Sequence, residues 1–159
     1  MLNILFICTG NTCRSPMAEA LFNAGQQEAC LPFRVQASSA GLAVLEGQAV
    51  SEPVRQLLAA EEIDVSGHRA RQVNYEIIEN ADLLLTMTES QLRELIFRYP
   101  FAGGKSFLFK SYASANDGFP DIEDPFGGEL EKYQAVLEEI KDSVKKLTLK
   151  FSAGNGNKL

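Results

Sequence analysis

The chain has 159 residues, 45% of them hydrophobic and 23% charged, which suits one soluble globular domain with a substantial core. Its formal net charge of −6 argues against nucleic acid or an anionic membrane surface as a partner, and no apolar run is long enough to span a membrane. With three cysteines, one histidine and no Cys-x2-Cys pair, a disulfide framework and a zinc site are both disfavoured, and with no secretory leader pattern a cytoplasmic protein without metal or cofactor is expected.

Residues 2–7 are mostly apolar and bounded by turn residues, as a buried strand should be. Ser15 and Pro16 read as a helix start, with Ser15 as cap, and apolar residues at helical spacing carry that helix to Gln27. The loop between them runs from Cys8 through Thr9, Gly10, Asn11, Thr12 and Cys13 to Arg14. A strand feeding a helix through a tight loop aims backbone N–H groups and the helix dipole at one point, which makes an anion site. Arg14 adds a planar fork suited to two phosphate oxygens. A thiol at Cys8 would face these groups, which favour the thiolate, the form that attacks phosphorus. Two blander readings stand beside this one: Cys8 as a small buried hydrophobe, and a loop that binds phosphate without chemistry. A Walker-type loop is excluded, because it would need a lysine here.

Glu19 falls near the first helical turn, where a carboxylate suits the dipole, and Cys30 reads as structural. Residues 33–37 alternate as a second strand and residues 38–47 as a loop; a helix follows over residues 51–62, while residues 63–65 are too short to assign. Strand, helix, strand implies a right-handed parallel crossover, with the Cys8 and Ser39 segments meeting at the carboxyl ends of their strands. His68, the lone histidine, reads as hydrogen-bonded and structural. A short helix over residues 75–80, a buried strand over 81–87, a capping box from Thr88 to Gln91 opening a helix that stops before Pro100, and a strand over 105–109 complete the series. The result is an α/β fold: a four-stranded parallel sheet with helices on both faces.

Residues 111–128 lack periodicity and carry Asp117, Asp121, Glu123 and Asp124. If Cys8 attacks phosphorus, the leaving group needs a proton, and a carboxylic acid over the anion pocket would supply it. Asp124 is the candidate because Pro125 restricts its backbone; the other three acids read as solvated charges. Phe126 is either a wall for a planar substrate or a core plug. The last helix covers residues 130–150, the domain residues 1–151, and residues 152–159 a frayed tail. Cys13 is either a packed thiol or a resolving cysteine that protects Cys8 through a reversible disulfide.

The opening Cys-Thr-Gly-Asn-Thr-Cys-Arg-Ser-Pro-Met-Ala-Glu-Ala resembles that of the low-molecular-weight protein tyrosine phosphatases, a family that includes bacterial protein-arginine phosphatases and is related to arsenate reductases. The resemblance extends to His68-x-Ala70-Arg71-Gln72, to Asp124-Pro125-Phe126 and to the element order. It implies a phosphatase-I-like fold and hydrolysis of phosphotyrosine on proteins and of aryl phosphates through a cysteinyl-phosphate. It further implies Cys8 as nucleophile, Arg14 and the loop amides as oxyanion stabilisers, Ser15 as hydrogen-bond donor to the thiolate, and Asp124 as acid then base. Asn11, Ser39 and His68 would form a network supporting the loop, and Cys13 would be redox-active. Thr12 resembles the arginine-phosphatase branch, where many tyrosine-directed members carry isoleucine or leucine, so phosphoarginine is the alternative substrate. Arsenate reductase fits less well, because no cysteine follows Cys30, and a passive binding module has no use for Asp124. A phosphorylated protein is the implied partner.

Overall fold

The computed structural model describes residues 1–26, 29, 31–114 and 118–154. The expected end of the first helix at Gln27, the structural reading of Cys30, the solvated reading of Asp117 and the tail over residues 155–159 lie outside the described residues.

Four strands, β1 (Leu2–Cys8), β2 (Val35–Gly41), β3 (Leu83–Thr86) and β4 (Ser106–Leu108), form one parallel sheet in the order β2-β1-β3-β4. Strand β1 alternates its side chains between two cores. Ile4, Phe6 and Cys8 face a cluster with Met17, Phe22, Leu137 and Phe151, while Leu5 and Ile7 face one with Ile78 and Leu95. The first cluster is covered by α1 (Arg14–Gly25), α2 (Glu52–Ala60), α5 (Phe109–Ala113) and α6 (Leu130–Ser152); the second is covered by α3 (Tyr75–Asn80) and α4 (Glu89–Arg98). Among the described residues, no helix is long and apolar enough to cross a membrane.

The chain leaves β1 toward β2 on one side and returns to β3 on the other. The carboxyl end of β1 is therefore the point where the winding reverses, and such sheets open a crevice there. Cys8 is the residue at that end.

Four local expectations are corrected. Ser38 and Ser39 belong to β2 and not to a loop: their backbone stays in register with β1 as far as the Cys8–Gly41 pair. Ser15 is not the helix cap; Cys13 holds that position without a side-chain cap, and Ser15 is the second helical residue. Glu19 lies beyond the first turn of α1 and is no dipole partner. The segment after β4 is not irregular throughout, because residues 109–113 form α5, and α6 runs two residues past its expected end to Ser152. The Thr88–Gln91 capping box is formed as expected.

Candidate active site

The loop of residues 9–13 is fixed at both ends by β1 and α1 and curls around the Cys8 sulfur. The Asn11 N–H donates to Cys8 Sγ at 3.3 Å, and the Ser15 hydroxyl lies 3.0 Å from it. Asn11 is fully buried with φ 55°, a left-handed backbone that asparagine tolerates better than most residues. Strand β2 comes so close beneath the loop that only glycine fits at Gly41. A Cβ there would stand 2.5 Å from the Thr9 carbonyl oxygen and 2.4 Å from Val44 Cγ2.

The Asn11 side chain sets the direction of the protons around it. Its Nδ2 donates to Ser15 Oγ and to Ser39 Oγ, each at 2.9 Å, while its Oδ1 accepts from the Arg71 N–H at 3.0 Å. Ser39 then donates to Glu19 Oε2 at 2.6 Å. Ser15 Oγ accepts from Asn11, so its own proton goes to the Cys8 sulfur at 3.0 Å or to the Ala40 carbonyl at 3.5 Å, and the sulfur is the nearer acceptor. His68 Nε2 lies 2.9 Å from the Asn11 carbonyl oxygen; a carbonyl only accepts, so that nitrogen carries the proton. Asn11, Ser39 and His68 thus form one connected network, to which Glu19 and Arg71 belong as well.

Arg14 is 4% exposed. Its Nη1 donates to the Ile122 carbonyl at 3.0 Å and its Nη2 pairs with Asp124 Oδ2 at 3.1 Å. Among the described residues, its Nε is a buried nitrogen with no partner. Asp124 is half exposed and its Oδ1 accepts from the Phe126 N–H at 3.2 Å. Cys8, Thr9, Gly10, Thr12, Cys13, Arg14, Asp124 and Phe126 line one cavity of about 290 Å³, with Leu45 and Gln48 on its rim. Phe126 is 73% exposed and lines the cavity, so it is no core plug. A larger cavity of about 590 Å³ between α1 and residues 62–68 contains neither a thiol nor an arginine, and size alone does not pick out the reactive site.

Cys13 is buried and donates to Ser51 Oγ at 3.2 Å, with Thr12 Oγ1 at 3.7 Å from its sulfur. Burial pushes its thiol above the ordinary value, opposed by the Ser51 and Thr12 hydroxyls and reinforced by the charges of Cys8 and Asp124. Cys8 and Cys13 are both free thiols.

Several site residues escaped the sequence. Gln91 reaches Thr9 Oγ1 at 3.0 Å, and Asp121, expected to be solvated, accepts from the Glu89 N–H at 2.8 Å at the start of α4. The only sequence signal for Gln91 was the capping box, which says nothing of Thr9. Ser51 was legible only as the start of the second helix, and the Ile122 carbonyl had no signal.

A thiol that accepts from a loop amide, a buried guanidinium and a carboxylate around one cavity are the groups that cysteine-based phosphoryl transfer calls for. The family model described as low molecular weight phosphotyrosine protein phosphatase matches residues 3–155. A protein-arginine-phosphatase of Geobacillus stearothermophilus is 40% identical over 148 residues, covering 93% of this chain and 95% of the relative. The solved YwlE arginine phosphatase of Geobacillus stearothermophilus superposes with a TM-score of 0.89 at 37% identity, covering 100% of this chain and 98% of the other. A low molecular weight protein tyrosine phosphatase from T. tengcongensis superposes with a TM-score of 0.87 at 39% identity, covering 94% and 99%. The chain belongs to the low molecular weight phosphotyrosine protein phosphatase family and is a hydrolase of that family.

Proposed function

We propose that the protein removes phosphoryl groups from phosphorylated proteins in two steps, with Cys8 as nucleophile and phosphotyrosine as substrate. The observation that carries this reading is that Arg14, whose buried Nε has no partner among the described residues, lines the same cavity as the Cys8 thiol and Asp124. Nε and Nη2 form the side of the guanidinium fork that suits two phosphate oxygens, while Nη1 stays anchored on Ile122.

In the first step Cys8 Sγ forms a bond to phosphorus as the bond to the leaving oxygen breaks. The loop amides and Arg14 hold the equatorial oxygens, and Asp124 passes its proton to the leaving group. A phosphate that takes over Nη2 from Asp124 frees that carboxyl to turn to the leaving group. In the second step Asp124, now a carboxylate, takes a proton from water as the water attacks phosphorus. Cys8 departs as the thiolate, stabilised by Ser15 and the Asn11 N–H, and phosphate is released. Cys13, one residue before Arg14, is the candidate resolving thiol should Cys8 be oxidised to a sulfenic acid.

Thr12 favours phosphoarginine as a second reading. The single S–H of Cys13 goes to Ser51, so in the Thr12–Cys13 contact the threonine hydroxyl donates. Its lone pairs are then left for an N–H of a guanidinium, which an aliphatic side chain could not accept from. The sequence and the solved structure named as arginine phosphatases of Geobacillus stearothermophilus agree with this reading, and the T. tengcongensis relative agrees with the first.

Cys8→Ser tests the mechanism: turnover of an aryl phosphate should vanish while phosphate binding remains, and persistent turnover removes Cys8 from the mechanism. Comparing phosphotyrosine and phosphoarginine proteins before and after Thr12→Ile separates the substrates. A drop in the arginine-to-tyrosine ratio is expected if Thr12 reads the guanidinium, and an unmoved ratio rules that out.

A further inference from the structure

Gln91, the third residue of α4, is 5% exposed and uses both ends of its amide on different segments. Its Oε1 accepts from the Met87 and Thr88 N–H groups, each at 3.1 Å, which closes the capping box. A box needs only that acceptor, and glutamate supplies it as well as glutamine. The amide nitrogen is the part the box leaves over, and it donates to Thr9 Oγ1 at 3.0 Å. The Thr9 carbonyl is held from the other side by the Ala43 N–H at 3.0 Å, so side chain and main chain of this first loop residue are both fixed.

The acid-bearing segment lands on the same helix start. Asp121 Oδ1 accepts from the Glu89 N–H at 2.8 Å, and the Ile122 N–H donates to the Met87 carbonyl at 2.9 Å. The Ile122 carbonyl in turn accepts from Arg14 Nη1 at 3.0 Å. The phosphate loop, the arginine and the acid loop therefore share one reference point.

We propose that Gln91 is a positioning residue that ties Thr9, and with it the first turn of the phosphate loop, to the helix start on which the acid loop is seated. The proposal rests on reading residues 8–15 as a phosphate cradle. It explains why the box carries glutamine: only the amide can donate to Thr9 while accepting from the helix start.

The test compares Gln91→Glu, Thr9→Val and the double variant. Gln91→Glu keeps the box acceptor, so the melting temperature should hold within about 3 °C. Orthophosphate inhibition and KM for an aryl phosphate should both weaken about five-fold, the worth of one neutral hydrogen bond, with kcat changing less. Thr9→Val should do the same. The double variant should be no worse than either single one, because both remove one interaction. A Gln91→Glu protein with unchanged inhibition and KM overturns the proposal. So does a loss that adds in full to that of Thr9→Val, since it would come from the new charge and not from the bond. Hydrogen exchange of the amides of residues 9–12 separates this from the function itself. It should accelerate in Gln91→Glu whether or not phosphate binds, and unchanged exchange overturns the proposal. Absence of phosphate binding by the unaltered protein would instead refute the cradle.

Discussion

Replacing Ser15 by alanine removes the hydroxyl that stands between Asn11 and the Cys8 sulfur. The hydroxyl lies 3.0 Å from the sulfur and is 0% exposed, so no water replaces it cheaply. A hydrogen bond to a charged partner contributes about 1.5–3 kcal/mol, which corresponds to roughly ten- to 150-fold in a rate that depends on it. The two chemical steps do not depend on it equally. In the first, Cys8 attacks as thiolate, and a less stabilised thiolate is the better nucleophile. In the second, the thiolate must leave phosphorus, and losing its donor raises that barrier. Ser15→Ala should therefore lower steady-state kcat by ten- to 150-fold while a rapid-mixing experiment with p-nitrophenyl phosphate shows a burst of product near one per active site. Stability should fall too, since Asn11 Nδ2 loses one of its two acceptors in a buried setting. At about 1–2 kcal/mol, this lowers Tm by about 2–8 °C in a chain of this size. A fall in kcat without a burst would place the loss in the first step and refute the reasoning, and an unchanged kcat would remove Ser15 from it altogether.

Asp124→Asn keeps the shape of the cavity but holds no transferable proton, so kcat for an aryl phosphate should fall by about 10²–10³-fold with KM changing far less; an unchanged kcat excludes Asp124 as the acid. Gly41→Ala forces a Cβ to 2.4–2.5 Å from Val44 Cγ2 and the Thr9 carbonyl oxygen. The backbone contact cannot swing away as a side chain would, so about 1–3 kcal/mol of stability should be lost together with phosphate affinity, as read by thermal melting and orthophosphate inhibition. For Cys13 the sign follows from its raised thiol: the thiolate is scarce at neutral pH and accumulates only as pH climbs past the ordinary thiol value of 9.0. In a Cys8→Ser background, iodoacetamide labelling of Cys13 followed by mass spectrometry should still be accelerating above pH 9, and a plateau reached by pH 8 would contradict the burial effect.

What the sequence disclosed depended on how local the physics was. Strand β1 was legible because an apolar run bounded by turn residues is nearly enough to specify a buried strand. The helix start at Thr88 was legible because a capping box is closed within four residues. Ser15 was misread for the same reason: serine before proline carries a local cap signature, yet Asn11 and Cys8 claim its hydroxyl. Ser38 and Ser39 look like loop on composition, but pairing with β1 supplies their backbone partners and Asn11 and Glu19 take the Ser39 hydroxyl. A five-residue helix such as α5 is too short to show a period at all.

The site residues divide on the same principle. Cys8, Arg14 and Asp124 were candidates from the sequence because phosphoryl transfer demands a nucleophile, a cation and an acid, few residue types meet each demand, and the fold brings all three to one cavity. The supporting residues answer to no such demand from the reaction. They answer to one another, across 28 residues from Asn11 to Ser39, 60 from Asn11 to Arg71, 82 from Thr9 to Gln91 and 108 from Arg14 to Ile122. Their identity follows from counting donors and acceptors. Asn11 must donate twice and accept once from its side chain, which aspartate could not do, and Gln91 must accept at one end and donate at the other, which glutamate could not do. A hydroxyl that accepts from Asn11 has one proton left, and where that proton goes fixes what Cys8 can become. Reading such a loop therefore takes a balance of protons over the folded chain, and spacing along the sequence supplies only the groups that enter it.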